Sequence, residues 1–218
     1  MSFIVKTEVK ADNAASFVAL SILSRLKEGK RVLFFVPGGS AVSVAVKVSE
    51  IVKKYPHQNL TVTLTDERYG PVDHPDSNWR ELLEKGFSLP EAKLMPVLAG
   101  EDRDTTVKKF DKMIHKGIEM AEYKIGLFGI GADGHTAGIL PKSMAIKSRG
   151  LACGYDTPKF SRITITPKAV EKLDEAVVWA QGEEKWGVLK NMKKNIDITK
   201  QPAQVLKKVP LLTIFSDM

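Results

Sequence analysis

A carboxylate and an imidazole lie two residues apart in a glycine-rich segment of the chain, at Asp133 and His135. Histidine exchanges protons near neutral pH, and a neighbouring carboxylate can orient its ring, so the pair is suited to general acid–base catalysis. The segment directly follows a predicted buried strand over residues 124–128. Loops at the carboxyl ends of strands are where open α/β sheets bind their ligands. We therefore predict that Asp133 and His135 are catalytic residues.

The glycines of this segment allow two other interpretations. Gly129, Gly131 and Gly134 match the dinucleotide-binding pattern G-x-G-x-x-G, which also requires an acidic residue about 20 positions later and a helix after the last glycine. The acidic residue in that region, Asp156, comes late, and Pro141 would interrupt the helix. A structural turn with a surface aspartate and histidine is the second alternative. The number of glycines and the two titratable groups together favour an active site.

Length and composition are typical of one globular domain spanning residues 1–218. The chain is 43% hydrophobic and 27% charged, and it lacks an apolar run near the ~20 residues that cross a bilayer. Its first residues lack the features of a signal peptide. Cys153 is the only cysteine, which excludes an internal disulfide and favours a buried structural thiol. We predict a cytoplasmic protein that does not associate with membranes.

Two further observations concern metals and nucleic acids. The four histidines do not show metal-ligand spacing, so we predict no bound metal. The net charge is +7, and six lysines within residues 190–208 contribute much of it. We expect these lysines to form a solvated face. Zinc-finger spacing, a helix-turn-helix and RNA-binding aromatic patterns are missing from the sequence. The positive charge therefore favours an anionic metabolite over a nucleic acid as the partner.

Strand and helix patterns alternate along the chain, which predicts an open, mostly parallel, Rossmann-like α/β sheet with helices on both faces. Apolar runs predict strands over residues 32–36, 61–65, 124–128, 162–166, 176–180 and 211–215. Apolar residues with a helical period predict helices around residues 15–26, 41–52 and 107–121. Residues 162–166 alternate in polarity, so this strand should be half-exposed. The segment 66–96 is predicted to leave the sheet.

Short polar motifs follow two of these predicted strands. Gly38, Gly39 and Ser40 follow the first strand and precede a helix, so backbone N–H groups and the Ser40 hydroxyl could bind a phosphate. Asp66 and Arg68 follow the second strand, where Arg68 could hold a phosphate bidentately and Asp66 could bind sugar hydroxyl groups. A plain strand-to-helix turn and a solvated charged turn are the alternatives for the two motifs.

Several other polar residues have less specific contexts. Arg162 begins a predicted strand and Lys185 precedes a predicted helix, so both cations could join an anion pocket, although each alone is typical of a surface. Asn78 is expected to cap the start of a helix. His57 and His115 lie in polar or helical surroundings and are predicted to be exposed.

In this order, the motifs at residues 38–40, 66–78, 129–137, 162–164 and 182–185 resemble those of the 6-phosphogluconolactonase family, which shares its fold with glucosamine-6-phosphate deaminases and isomerases. The resemblance extends from about residue 11 to the end of the chain. It implies hydrolysis of 6-phospho-D-glucono-1,5-lactone, a step of the oxidative pentose phosphate pathway, without a cofactor. It implies that His135 is the general base that activates water, supported by Asp133. The substrate- and phosphate-binding residues that it implies are Gly38, Gly39, Ser40, Asp66, Arg68, Arg162 and Lys185.

Individual positions help to decide whether the chain resembles the lactonases or the deaminases of that superfamily. The residue before Pro141 is Leu140, where the deaminases carry a glutamate that takes part in ring opening, and this favours the lactonase branch. The chain also has Ala41-Val42 where lactonases usually carry Thr-Pro, and Gly138 where serine is usual. A deaminase or isomerase of glucosamine 6-phosphate and a non-catalytic sugar-phosphate-binding protein remain the alternatives. The sequence leaves open whether the protein is a monomer or a small homo-oligomer.

Overall fold

The computed structural model describes residues 3–7 and 10–218, and strands and helices alternate along it as predicted. The strands are β1 (Ile4–Lys6), β2 (Val32–Val36), β3 (Leu60–Leu64), β4 (Asp66–Arg68), β5 (Lys93–Met95), β6 (Tyr123–Gly129), β7 (Ala152–Asp156), β8 (Ser161–Ile165), β9 (Glu175–Ala180) and β10 (Leu211–Ser216). The helices are α1 (Ala11–Lys27), α2 (Val42–Val52), α3 (Asn78–Glu84), α4 (Arg103–Met120), α5 (Pro167–Val170) and α6 (Trp186–Asn191). Short 3-10 turns cover Gly39–Ala41, Met144–Lys147, Glu183–Lys185 and Pro202–Lys208.

Seven strands form one parallel sheet in the order β1-β10-β9-β6-β2-β3-β5. From β2 the chain continues to β3 and β5 on one side, and it later enters β6 on the other side of β2. The loops that follow β2 and β6 therefore run in opposite directions, which opens a crevice at the carboxyl ends of these strands. The predicted open, mostly parallel α/β fold is confirmed.

The core lies between this sheet and the helices that pack on it. All five residues of β2 are buried, as expected for a central parallel strand covered on both faces. Val18 and Ile22 of α1 and Val48 of α2 are buried along the predicted helical stripes, where the two helices contact each other. Burial of each large apolar side chain contributes about 1.5–3 kcal/mol to folding. Among the residues that the structure describes, no helix is long and apolar enough to span a bilayer.

The segment around residues 162–166 differs from the prediction. It forms β8, the middle strand of a separate antiparallel sheet in the order β4-β8-β7, and not a strand of the parallel sheet. Ile163, Thr164 and Ile165 are all buried, so both faces of the strand are covered here and the half-exposed pattern was wrong for this end of the strand. The predicted excursion from residue 66 begins in this small sheet, and the chain returns to the main sheet at β5.

Two smaller expectations also need correction. His57, predicted to be exposed, is buried: its Nδ1 lies 2.7 Å from the Tyr55 carbonyl oxygen, and its Nε2 accepts a hydrogen bond from the Glu91 N–H. His115 is exposed on α4, as predicted. Cys153 is only partly buried, and burial raises the pKa of its thiol.

A buried carboxylate joins β4 to the start of α3. Glu67 is 0% exposed, and its Oε1 accepts hydrogen bonds from the backbone N–H groups of Arg68 (2.8 Å) and Asn78 (2.6 Å). Its Oε2 accepts from the Ser77 hydroxyl (2.9 Å) and the Trp79 N–H (3.1 Å). Two of these donors belong to the first turn of α3, where helical N–H groups lack partners within the helix. Burial raises the pKa of Glu67 above its ordinary value of 4.5.

We expect Glu67→Gln to lower the free energy of unfolding by about 1–3 kcal/mol, because the amide nitrogen cannot accept the hydrogen bonds made to one carboxylate oxygen. Folded Glu67 holds its proton more tightly than the unfolded chain does, so the wild type loses stability as the pH rises from 4.5 through the folded pKa. The variant lacks this loss. The difference in the free energy of unfolding between the wild type and the variant should therefore become smaller as the pH rises.

Urea unfolding of both proteins between pH 4.5 and 8 measures this difference. Glu84→Gln is the matched control, because Glu84 lies on the same helix with an exposed side chain and should shift the unfolding free energy by less than about 0.5 kcal/mol. Equal stability of Glu67→Gln and Glu84→Gln at every pH would contradict the role assigned to Glu67.

Candidate active site

A cleft of about 220 Å³ opens at the carboxyl ends of β2 and β6, beside the small sheet. Its walls are formed by Pro37, Gly38, Gly39, Ser40, Asp66, Arg68, Asn78, Gly129, Ile130, Gly131, His135, Ala137, Arg162 and Lys185. Every predicted site residue lines this cleft except Asp133, which contacts His135. A second cleft of about 250 Å³ lies at the amino ends of β2, β3 and β5, is lined mainly by apolar side chains, and contains none of the predicted residues.

Asp133 and His135 form a hydrogen-bonded pair. The Oδ1 atom of Asp133 lies 2.5 Å from His135 Nδ1 and also accepts the His135 backbone N–H at 3.0 Å. Gly134, with φ of +84°, allows the tight turn that brings residues two apart into contact. The hydrogen bond from the His135 ring keeps the pKa of Asp133 below its ordinary value of 3.8. Because a carboxylate only accepts, the proton of the bond belongs to Nδ1, which leaves a lone pair on Nε2.

Gly131 is required by the position of the imidazole. A Cβ atom at this residue would lie 2.2 Å from both Cε1 and Nδ1 of His135 and 2.8 Å from Asp133 Oδ1. No carbon approaches a ring atom so closely, so any larger residue would displace the histidine or the loop. The backbone of Gly131 also pairs with His135, since its N–H donates to the His135 carbonyl at 2.9 Å.

Two arginines of the small sheet contribute positive charge to the cleft. Arg68 on β4 pairs directly with Arg162 on β8, although like charges on facing strands are destabilising. The Nε atom of each is buried and has no hydrogen-bond partner among the described residues. The ring of Phe160 lies 5.1 Å from the Arg68 guanidinium carbon and 5.4 Å from that of Arg162, and these cation–π contacts offset part of the repulsion. Such an arrangement is suited to an anion.

The loops after β2 and β9 supply the remaining predicted donors. Gly39 has φ of +66° and begins the 3-10 turn that leads into α2, so N–H groups at the start of a helical segment line the cleft. The helix predicted around residues 41–52 begins at Val42 and is capped by Ala41, and Ser40 is exposed in the preceding turn. Lys185 ends the turn that follows Gly182 and is half-buried.

Asn78 lines the cleft, although its sequence context favoured a capping role over an approach to the site. The helix cap is Ser77, whose hydroxyl oxygen accepts the Arg80 N–H at 3.2 Å. Asn78 is fully buried at the first helical position, where its Nδ2–H donates to the Asp66 carbonyl at 2.8 Å. A Ser-Asn pair before a helix predicts a cap at either residue, and only the position of β4 beside α3 distinguishes them.

The departures from the lactonase motifs have local explanations. A Cβ atom at Gly138 would lie 2.8 Å from Thr164 Cβ and 3.0 Å from Asp66 Cβ, so β8 and β4 occupy the space that a serine side chain would need. The Gly138 N–H donates to the Thr164 hydroxyl at 3.0 Å. Ala41 and Val42 are fully buried in the core, and neither lines the cleft.

The structure holds no group of three or more His, Cys, Asp and Glu side chains arranged as metal ligands within residues 3–7 and 10–218. The prediction that the protein works without a metal or cofactor is not tested by this observation. The acid–base pair, the arginines and the helix-start N–H groups are suited to proton transfer beside a bound anion.

Comparisons with known proteins agree with this arrangement. The family model for glucosamine-6-phosphate isomerases/6-phosphogluconolactonase matches residues 6–213. A 6-phosphogluconolactonase of Thermotoga maritima is 26% identical over 182 residues, which cover 80% of this chain and 82% of the relative. A 6-phosphogluconolactonase of Neisseria meningitidis serogroup A is 29% identical over 193 residues, which cover 82% of this chain and 81% of the relative.

Solved structures show the same fold. The crystal structure of the 6-phosphogluconolactonase from Thermotoga maritima superimposes with a TM-score of 0.82 at 21% identity, covering 99% of both chains. That of the enzyme from Trypanosoma brucei superimposes with a TM-score of 0.79 at 18% identity, covering 98% of this chain and 95% of the other.

Substitution of Gly131 by alanine tests the geometry of the acid–base pair. We expect Gly131→Ala to separate His135 from Asp133, because its Cβ would collide with the imidazole. In ¹⁵N NMR spectra of histidine-labelled protein, assigned with His135→Asn, the His135 ring signals should shift. Gly129→Ala is the matched control, because a Cβ there meets no atom within 4 Å. Identical His135 signals in Gly131→Ala and the wild type would show that the loop is not constrained in this way.

Proposed function

The chain belongs to the glucosamine-6-phosphate isomerase/6-phosphogluconolactonase family, and we propose that it hydrolyses 6-phospho-D-glucono-1,5-lactone to 6-phospho-D-gluconate. The observation that supports this most strongly is the position of the Asp133–His135 pair in contact with a cleft that also contains three cations. The names of its relatives point to the same reaction. A carboxylic ester hydrolase of this kind would act in the oxidative pentose phosphate pathway.

His135 has the properties of a general base in this reaction. Its Nε2 takes a proton from a water molecule, whose oxygen forms a bond to the lactone C1 carbonyl carbon. Backbone N–H groups of the glycine loops stabilise the resulting oxyanion. As the bond between C1 and the ring oxygen breaks, the imidazolium returns the proton to that oxygen. The carboxylic acid formed at C1 then releases its own proton to solvent and becomes the product carboxylate. Asp133, whose pKa is lowered by His135, remains ionised and stabilises the imidazolium.

The cations and the N–H groups near α2 would hold the phosphate of the substrate. Arg68, Arg162 and Lys185 supply charge, and Gly39 and Ser40 supply backbone and hydroxyl donors at the same cleft. The phosphate is remote from C1, so its binding mainly positions the carbonyl carbon near His135. Neither a metal nor an organic cofactor is needed, because ester hydrolysis uses only water and acid–base groups.

The alternatives differ from this proposal in the residues that each of them would need. A deaminase would carry a carboxylate before Pro141, and Leu140 occupies that position. A protein that only binds sugar phosphates would have no need of a hydrogen-bonded histidine and carboxylate beside the anion site. The cytoplasmic location stays a prediction.

Substitution of His135 by asparagine should reduce kcat by about 10²–10⁴-fold, because the variant lacks the group that exchanges protons. Freshly prepared 6-phosphogluconolactone is added with EDTA, and acid release is followed beside the spontaneous rate. His115→Asn, on the exposed surface of α4, is the matched control and should keep the wild-type rate. A wild type no faster than the spontaneous reaction would contradict the proposed function, and an active His135→Asn variant would contradict the role of His135.

Substitution of Arg162 by glutamine should weaken substrate binding through the phosphate. A charge-assisted hydrogen bond contributes about 1.5–3 kcal/mol, so KM for the phosphorylated lactone should rise about 10- to 100-fold. Glucono-1,5-lactone without the phosphate is the control substrate, and its kcat/KM should change less than about twofold. Equal losses for the two lactones would indicate that Arg162 supports the structure of the cleft and does not bind phosphate.

A further inference from the structure

The carboxamide oxygen of Asn78 is an acceptor without a donor. Asn78 is 0% exposed and lines the cleft, and its Oδ1 atom is buried with no hydrogen-bond partner among the described residues. Buried polar groups in proteins are paired in the great majority of cases, since an unsatisfied group costs stability. An exception at the wall of a ligand cleft therefore indicates that a ligand supplies the missing donor.

Two hydrogen bonds keep this oxygen in its place. The Asn78 Nδ2–H donates to the Asp66 carbonyl at 2.8 Å, which identifies the nitrogen of the amide and leaves Oδ1 as the free atom. The Asn78 backbone N–H donates to the buried Glu67 carboxylate at 2.6 Å, so the first turn of α3 is anchored to β4. The amide is therefore fixed from both its side chain and its backbone.

Gly38 leaves room for the carboxamide beside the loop after β2. A Cβ atom at Gly38 would lie 2.2 Å from Asn78 Oδ1 and 2.4 Å from its Cγ atom. The glycine at this position thus allows the predicted phosphate loop and the Asn78 acceptor to occupy adjacent walls of one cleft.

The polar groups of the cleft are mostly hydrogen-bond donors, and the Asn78 oxygen is an acceptor. Arg68, Arg162, Lys185 and the N–H groups of the first loop only donate, which suits a phosphate that only accepts. Asp66 is engaged with neighbours, since its Oδ1 accepts from the Thr65 hydroxyl at 3.0 Å and its Oδ2 lies 3.5 Å from Arg162. The Asn78 oxygen has no such partner, so it is available to a group that donates.

We propose that Asn78 Oδ1 accepts a hydrogen bond from one hydroxyl group on the sugar ring of the substrate and thereby selects ligands that carry that hydroxyl. This inference rests on the proposed function, which supplies a substrate with both a phosphate and several hydroxyl groups. Asn78 is then a substrate-binding residue, distinct from the groups that bind the phosphate and from the Asp133–His135 pair.

The test pairs substitutions of Asn78 with lactones that lack one hydroxyl. The 2-deoxy, 3-deoxy and 4-deoxy 6-phosphogluconolactones are prepared by oxidising the corresponding deoxyglucose 6-phosphates. For one of them, kcat/KM of the wild type should fall about 10- to 100-fold relative to the parent lactone. Asn78→Leu and Asn78→Ala lack the acceptor, so their kcat/KM values for that lactone and for the parent lactone should differ by less than about twofold.

Ser77→Ala is the matched control, because it removes the cap of α3 and leaves the Asn78 amide intact. It should lower kcat/KM for all four lactones by the same factor. The proposal is overturned if Asn78→Leu and Asn78→Ala keep the wild-type ratio for every deoxy lactone, since the residue would then act only through the structure.

A wild type that does not accelerate lactone hydrolysis would contradict the proposed function separately. In that event, calorimetric binding of glucose 6-phosphate and its 2-deoxy, 3-deoxy and 4-deoxy analogues decides the same question. Loss of discrimination in Asn78→Leu supports the hydroxyl contact, and unchanged ratios of Kd overturn it.

Discussion

Parallel pairing of β2 with β6 determines where the cleft forms. The two strands are adjacent in the sheet, yet the chain leaves them in opposite directions, so their carboxyl ends are not covered by a common connection. The loop after β2 provides glycines and a hydroxyl, and the loop after β6 provides the acid–base pair. The sheet, and not either loop, fixes the distance between these two sets of groups.

A second constraint is the lack of a side chain at three glycines around this crevice. Gly38, Gly131 and Gly138 each lie where a Cβ atom would overlap a neighbouring side chain, respectively of Asn78, of His135 and of Thr164. None of the three has the positive φ that glycine alone tolerates readily, so their role is close approach and not backbone conformation. The cleft is thus narrow because backbone, and not side chains, separates its functional groups.

Much of the fold followed from apolar patterning, since β2, β6 and the stripes of α1 and α2 are buried on the sides that their periodicity predicted. The loop motifs also predicted which residues meet, because carboxyl ends of parallel strands share one edge. The small antiparallel sheet could not be predicted in this way: β4 has three residues, and β8 pairs with it from far along the chain. The capping role preferred for Asn78 was wrong for the same reason, because its environment comes from β4 and the buried Glu67.

The pairing of Arg68 with Arg162 has a consequence for how the protein reaches its native state. The two residues are far apart in the sequence and meet only when β4 and β8 align, after the intervening helices and β6 have been placed between them. Contacts of such long sequence separation carry a high entropy cost, because a long loop of chain must close before they form. An anion site between the two arginines would exist only in chains in which β4 and β8 have paired, so a bound anion would stabilise those chains over less completely folded ones.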